Sequence, residues 1–483
     1  MNFSLMAAWI LPLLTGTCVW LACNPSRAPG WRAAALGHGC VFGMLLAAAA
    51  TALCARTETT HAWLRASPAL VALALACGIL AWRSLRAMPA PRADIPARAN
   101  TWLNGLLALA LISLLWRGGI ALREILLRPT YPWDAWDAWA VKSKTWVLLG
   151  HYVPFVSMQE WLAHPAQELY TSLGWAYPST LPWIQVWFAS AAGGWIEPMV
   201  NLPWFALWLG LLAGHYGQWR ALGLSRRQAL VGVYALGSLP LITVHVALAG
   251  YADLWVATLF GFAVLAWLRW MQTRAKQHLL IAFACALLLP LLKLEGAIWL
   301  LLLASVMVYG LLRRRWRRRA AWLLLGVFVI VMVFGRLKIP VPGLGWVELA
   351  RNAIDIPGFG RLAISWHGIA LSGILNSLFV QPNWHLLWWL APLIVVWRWR
   401  TLFADQALRR VGAVLLAAFG ALIFLFVFTD AASWAEHYTA VNRLLMHMVP
   451  ALVTFLLLLL REVNWREVLR DTPARFAARS YPA

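Results

Sequence analysis

The chain has 483 residues, of which 62% are hydrophobic and only 12% charged, with a mean hydropathy of +0.69. A water-soluble domain has too little interior to hide that much apolar surface, so the composition excludes one and predicts an all-α polytopic membrane protein. The net charge of +22 does not point to nucleic acid, because the basic residues fall between apolar runs, where they set topology and meet lipid headgroups.

Cys18, Cys23, Cys40, Cys54, Cys77 and Cys285 lie in or beside apolar runs, with no CxxC pair and no histidine cluster at ligand spacing. Neither a disulfide framework nor a zinc site is predicted. The first apolar run lacks a basic leading segment and further runs follow at once, the pattern of a span rather than a cleaved signal. Only 18 acidic residues occur in the sequence, so a carboxylate beside an apolar run is a scarce feature whose position carries information.

Apolar runs at 5–21, 33–54, 69–81 and 102–120 open the chain, several of them close to the ~20 residues that cross a bilayer. The linker after the third carries Arg83, Arg86, Arg92 and Arg98 and is assigned to the cytoplasm, so the fourth run emerges on the outer face. There YPWDAWDAWAVKSKTW, residues 131–146, places Asp134 and Asp137 three apart and repeats Trp133, Trp136 and Trp139 at the same interval. On an α-helix each set shares a face, which predicts a helix lying in the headgroup layer with Lys142 and Lys144 reaching phosphates.

The run at 179–192 contains Pro182 and follows Pro178. Counting it as a crossing would carry Arg220, Arg226 and Arg227 to the outside, so it is read as a juxtamembrane or re-entrant helix on the outer side. Runs at 199–214, 229–248, 254–269, 279–292, 297–312, 321–334, 386–397, 411–428 and 444–460 follow. They give about thirteen crossings, with the RRRWRRR block at 313–319 as the strongest inside marker and a basic tail inside. Sides follow from Lys and Arg alone, yet they bring Asp134, Asp137, Asp253, Glu295, Asp430 and Glu436 to outer helix ends. Mid-span positions are nearly free of charge, unlike the path of a transporter, and chemistry on a membrane-bound substrate at the outer face is the expectation.

Five pieces carry a family likeness. They are Trp133-Asp134-Ala135-Trp136 with Trp139 and Lys142, then Tyr177-Pro178 before a proline-broken run, and Gly250-Tyr251-Ala252-Asp253 opening a span. Lys293-Leu294-Glu295-Gly296 follows between two spans, and Asn442-Arg443-Leu444-Leu445 leads into a run with Pro450. In this order the set resembles the outer-face motifs of GT-C glycosyltransferases, polytopic enzymes that use sugars linked to polyprenyl or dolichyl phosphate, including the protein mannosyltransferase and aminoarabinose transferase types. The resemblance covers residues 120–460. The second aspartate departs from the family's single one and leaves open whether Asp134 or Asp137 is the base, with Asp134 aligning better.

The resemblance implies a GT-C-like bundle with outer-face juxtamembrane helices. Residues 1–101 form N-terminal helices of unassigned role, 102–334 a catalytic core with first outer loop 121–198, 335–385 an outer loop or lid, and 386–483 the last helices and tail. It implies an inverting transfer of sugar from a polyprenyl-phosphate donor to a hydroxyl of a glycan, lipid or protein, at the periplasmic face of a bacterial inner membrane. Asp134 would act as general base, Asp253 would assist it or hold the acceptor, and Lys293, Arg443 and Lys142 would bind the donor phosphate. Glu295, Tyr177, Tyr251 and His437 would contact substrate. No obligatory cofactor is implied, and a divalent metal is not favoured because the first loop offers a hard cation only two carboxylates.

Plainer roles compete. Asp253 would serve as a helix cap, Lys293 and Glu295 would pair with each other, Arg443 would be a headgroup anchor, and His447 a core histidine. A lipid or glycan transporter or flippase, or an O-antigen polymerase or ligase, are the alternative functions.

Overall fold

The computed structural model describes residues 3–89, 101–341, 345–357 and 360–463. Arg92, Arg98 and the basic tail beyond residue 463 lie outside the described residues. Four long apolar helices come first, α1 (Phe3–Cys23), α2 (Trp31–Cys54), α3 (Ala62–Arg86) and α4 (Thr101–Leu127). The outer loop then holds a π-helical turn (Ala135–Ala140), α5 (Val141–Leu149), α6 (Met158–Ala163) and α7 (Thr180–Ala192). After them come α8 (Glu197–Ala221), α9 (Arg226–Gly237), α10 (Pro240–Ala247), α11 (Asp253–Thr273), α12 (Lys276–Leu288), α13 (Gly296–Leu311) and α14 (Arg314–Phe334).

Four strands follow, β1 (Arg336–Val341), β2 (Gly345–Ala350), β3 (Ala353–Ile356) and β4 (Gly360–Ala363). The chain ends with α15 (Ala370–Leu375), α16 (Leu387–Trp397), α17 (Trp399–Ala404), α18 (Gln406–Phe428), α19 (Ala432–Glu436) and α20 (Val441–Leu459).

Among the described residues seven helices, α1, α2, α3, α4, α11, α18 and α20, are long and apolar enough to cross a membrane, or eight if α9 and α10, bent by 61°, form one span. The fold is therefore that of a mostly helical integral membrane protein. Several of the other apolar runs fall short of that criterion for physical reasons. The helices α12, α13 and α16 belong to segments of 10–17 residues, at ~1.5 Å per residue less than the ~30 Å hydrocarbon core. Arginines occupy the first turns of α14, and α8 carries Asn201, His215, Gln218 and Arg220 on buried positions.

At the centre stands α11, almost wholly buried, packed against α8, α12 and α20. Its burial on every side matches a sequence that is apolar all round, with no polar stripe to turn outward. The N-terminal helices are not an appendage. Small residues let α1 and α2 approach closely, a Cβ added to Gly16 meeting the backbone of Gly39 and Gly43 within 2.8 Å, and α2 packs in turn on α7 and α8.

The 13-residue helix α7 is too short to cross, which agrees with its expected placement. It is no surface helix, however. All but two of its residues are buried, between α2, α3, α5 and α8.

The segment expected as an outer loop or lid adds a small sheet to the mostly helical fold, since β1 to β4 form an antiparallel meander in sequence order. The alternation in Arg336-Leu337-Lys338-Ile339 is the strand period. It pairs Lys338 with Glu348 across the sheet at 3.2 Å. The sheet is fixed to the end of α18 through the Ala363 N–H donating to Asp430 and the Ser365 and His367 N–H groups donating to the Phe428 and Val427 carbonyls.

Basic loop residues collect at one end of the bundle. Arg220 donates to the Leu224 carbonyl, Arg269 to Ala221, Arg461 to Leu222 and Arg398 to Leu459. By the positive-inside rule this end is expected on the cytoplasmic side. In a cysteine-free background, a cysteine placed at the exposed Gln167 should react with an impermeant maleimide in intact cells. One at Trp316, 45% exposed, should react only after the cells are opened. The reverse pattern would invert the orientation.

Candidate active site

The opposite end holds a charge cluster built from four distant segments. Asp253 is the first residue of α11 and is fully buried. It does not cap its helix; its carboxylate turns aside and takes four N–H donors. Oδ1 accepts from Lys293 Nζ at 2.8 Å and from His447 Nε2 at 3.0 Å, and Oδ2 accepts from Arg443 Nε at 3.0 Å and Nη2 at 2.8 Å. Such a set satisfies a buried carboxylate that would otherwise be expelled.

Arg443 extends its remaining arm to Asp134, with Nη1 donating to Oδ2. The guanidinium thus bridges two carboxylates, 190 and 309 residues away in sequence. Its Cζ lies 4.5 Å from the Tyr251 ring centroid, a contact that suits a delocalised cation. Lys293 also pairs with Glu295 at 3.1 Å. Burial acts to lower the lysine's pKa, but Asp253 and then Glu295 outweigh it and hold the ammonium above its usual range. The second Glu295 oxygen is buried without a partner among the described residues.

His447 is a member of the cluster and not merely a core residue. The Trp299 indole N–H donates to its Nδ1 at 2.8 Å, so the ring proton sits on Nε2 and points at Asp253. The ring is neutral, and three carboxylates (Asp134, Asp253, Glu295) face two cations (Lys293, Arg443). Its place one helical turn after Arg443, on the same face of α20, was a usable sequence signal.

The tryptophan–aspartate stretch departs from the expected α-helix. Ala135–Ala140 is π-helical, and the wider i→i+5 ladder turns each residue through a smaller angle, so positions three apart no longer stack. Asp134 consequently meets Arg443, while Asp137 takes a hydrogen bond from the Leu173 backbone. Burial, and next the charge of Asp134, push the Asp137 carboxyl above its usual range. The tryptophans divide likewise. Trp133 and Trp136 are exposed, whereas Trp139 is fully buried with its ring 4.9 Å from Tyr177.

Lys142 is corrected from phosphate ligand to strut. It is 1% exposed and donates to the Trp175 and Tyr177 carbonyls at 2.9 and 2.6 Å, with burial pushing its pKa down to about 8. That strut positions Tyr177, whose hydroxyl is pushed up to about 12 by burial, with Glu295 adding to the effect. His437 is tied to the Ser433 carbonyl at 2.7 Å on the short helix α19; no bond joins it to the cluster among the described residues.

Two further residues set the geometry. Gly250, at φ 108°, is where the chain before α11 passes the π-helical turn, and a Cβ there would lie 2.5 Å from the Ala135 Cβ. Only glycine adopts that conformation and permits the approach that brings Asp134 to Arg443. Asn442 donates to Gln381 at 2.6 Å and accepts from Trp384 at 3.0 Å, which locks the start of α20 and aims Arg443.

Comparison with protein-family models, with curated proteins and with solved structures gives no match for this chain.

Replacing Asp253 by asparagine takes from the buried Lys293 and the half-buried Arg443 one of the two carboxylates each holds and should cost about 3–5 kcal/mol, the loss typical of breaking a buried pair from one side. The readout is the unfolding temperature of detergent-solubilised protein. Adding Lys293→Met to that variant should recover part of the loss. Unchanged unfolding in Asp253→Asn would mean that the carboxylate is not the cluster's keystone.

Proposed function

We propose that this chain is an inverting glycosyltransferase that moves a sugar from a polyprenyl-phosphate donor to an acceptor hydroxyl at the outer, periplasmic face of a bacterial inner membrane. The observation that carries the reading is the Asp134–Arg443–Asp253–Lys293–Glu295 network. Scarce carboxylates from separate outer segments meet Lys293 and Arg443, two of the three cations that the motif resemblance assigns to the donor phosphate.

The chemistry follows from the charge balance. Asp134 gives Oδ2 to Arg443, and its other oxygen accepts no hydrogen bond among the described residues. That oxygen is the base. As it takes the acceptor proton, the acceptor oxygen bonds to the anomeric carbon, and the bond from that carbon to the phosphate oxygen breaks with its electron pair on the phosphate. Protonated Asp134 then releases its hold on Arg443 as negative charge develops on the leaving group, so the guanidinium becomes available where it is needed. Lys293, fixed between Asp253 and Glu295, adds a second positive charge without moving. Tyr177 and Tyr251 border this space and contact sugar or acceptor.

A carrier that moves lipid or glycan without chemistry is the second reading, favoured by the full burial of Asp253 among ionisable partners.

The test is transfer of labelled sugar by membranes containing the chain, offered a panel of polyprenyl-phosphate sugars. Asp134→Asn should reduce turnover by on the order of a hundredfold, with Asp137→Asn affecting it less. Reversed effects would make Asp137 the base, and no effect from either would remove the transferase reading. Arg443→Lys should not restore activity lost in Arg443→Ala, since one ammonium cannot grip Asp253 and reach Asp134 together.

A further inference from the structure

At the cytoplasmic end, away from this cluster, a cavity of about 260 Å³ opens between the end of α13, the start of α14 and the start of α18. Arg317, Arg409 and Arg410 line it together with Gln406, and no carboxylate among the described residues does. Two of these arginines are partly used by the protein. Arg317 donates to the Leu312 and Gly310 carbonyls at 2.9 and 3.3 Å, and Arg410 reaches Gly310 at 3.5 Å. These are the free carbonyls at the end of α13, which cations commonly cover.

That role leaves charge over. Arg410 Nη1 is buried with no acceptor, and the Arg409 guanidinium makes no hydrogen bond or ion pair among the described residues. Arg274, Arg317 and Arg409 all repel Arg410. The carboxylate nearest in sequence, Asp405, is committed to the first amides of α18, accepting from Ala407 and Leu408 at 2.7 and 3.3 Å. Like charges converging on a cavity with an unsatisfied buried N–H describe a site whose counter-ion comes from outside the chain.

The walls say where that anion comes from. Tyr309 lines the cavity with its ring 5.0 Å from the Arg317 guanidinium carbon and is 55% exposed, and Leu311 and Trp316, near Tyr309 and Arg317 in the chain, are 43% and 45% exposed, as side chains facing acyl chains and headgroups are. We propose that Arg317, Arg409, Arg410 and Gln406 bind the phosphate headgroup of an anionic lipid of the cytoplasmic leaflet. The lipid neutralises the cluster and ties the start of α18 to the end of α13. A basic pocket between helices on this side of a membrane is suited to that ligand.

The full chain, purified in a zwitterionic detergent, is titrated with short-chain phosphatidylglycerol, phosphatidylcholine or inorganic phosphate, and bound molecules are counted by native mass spectrometry. Phosphatidylglycerol should be retained and phosphatidylcholine not, and inorganic phosphate should fail to displace the lipid. Arg409→Gln and Arg410→Gln should each weaken retention about fivefold, the effect of one basic residue at an anionic surface. Arg409→Gln keeps the test valid if Arg410→Gln fails to fold, because the Arg409 guanidinium holds no protein group. Equal retention by the variants, equal binding of phosphatidylcholine, or displacement by inorganic phosphate would each overturn the proposal.

Discussion

A carboxylate buried without water must be held by enough donors to offset its lost hydration, and the outer half of this protein is arranged around that requirement at Asp253. Its four N–H donors come from three places, the loop before α13, the first turn of α20 and the next turn of the same helix. Because α11 is the central post of the bundle, whatever grips Asp253 is referenced to the core. Arg443 carries that reference outward to Asp134, and Lys293 carries it to Glu295. A surface loop is thereby held to the rigid part of the fold by one guanidinium, and glycine at position 250 lets it come close enough.

The two ends of the bundle use charge differently. In the Asp253 cluster carboxylates outnumber cations by one and both cations are engaged, a state that a proton shift at Asp134 can rebalance. Arginines predominate at the inner end, spent on helix C-terminal carbonyls where the geometry allows and left over where it does not. The first arrangement suits chemistry, in which charge is created and consumed; the second suits anchoring in a leaflet of fixed negative charge.

Much of the outer cluster was legible because charge is rare in this sequence. With few acidic residues available, Asp134, Asp253 and Glu295 stood out at helix ends, and Lys293 and Arg443 with them. Three features were hidden. The π-helical turn is invisible to spacing, since Trp133-Asp134-Ala135-Trp136 fits an α-helix equally well and the tertiary contact with Gly250 decides. Lys142 looks like a headgroup ligand until the carbonyls of Trp175 and Tyr177 close over it. The sheet at 336–363 was masked by its glycines and prolines, although β1 alternates in the strand period. His447 was readable from its spacing to Arg443, but a lone histidine in an apolar helix is usually core. The number of crossings is the least legible feature, because proline-broken and short apolar helices read as spans by hydropathy whatever their length.

The proposal that the Asp134–Arg443 pair serves bond formation rather than passage can be tested directly. The most direct measurement reconstitutes the purified chain in vesicles with a polyprenyl-phosphate sugar and an acceptor, and determines by NMR the anomeric configuration of the sugar afterwards. The expected product is a new glycosidic bond of inverted configuration, formed only when donor and acceptor share the outer face. Sugar that crosses the vesicle still joined to its lipid phosphate, with no new bond, would contradict it.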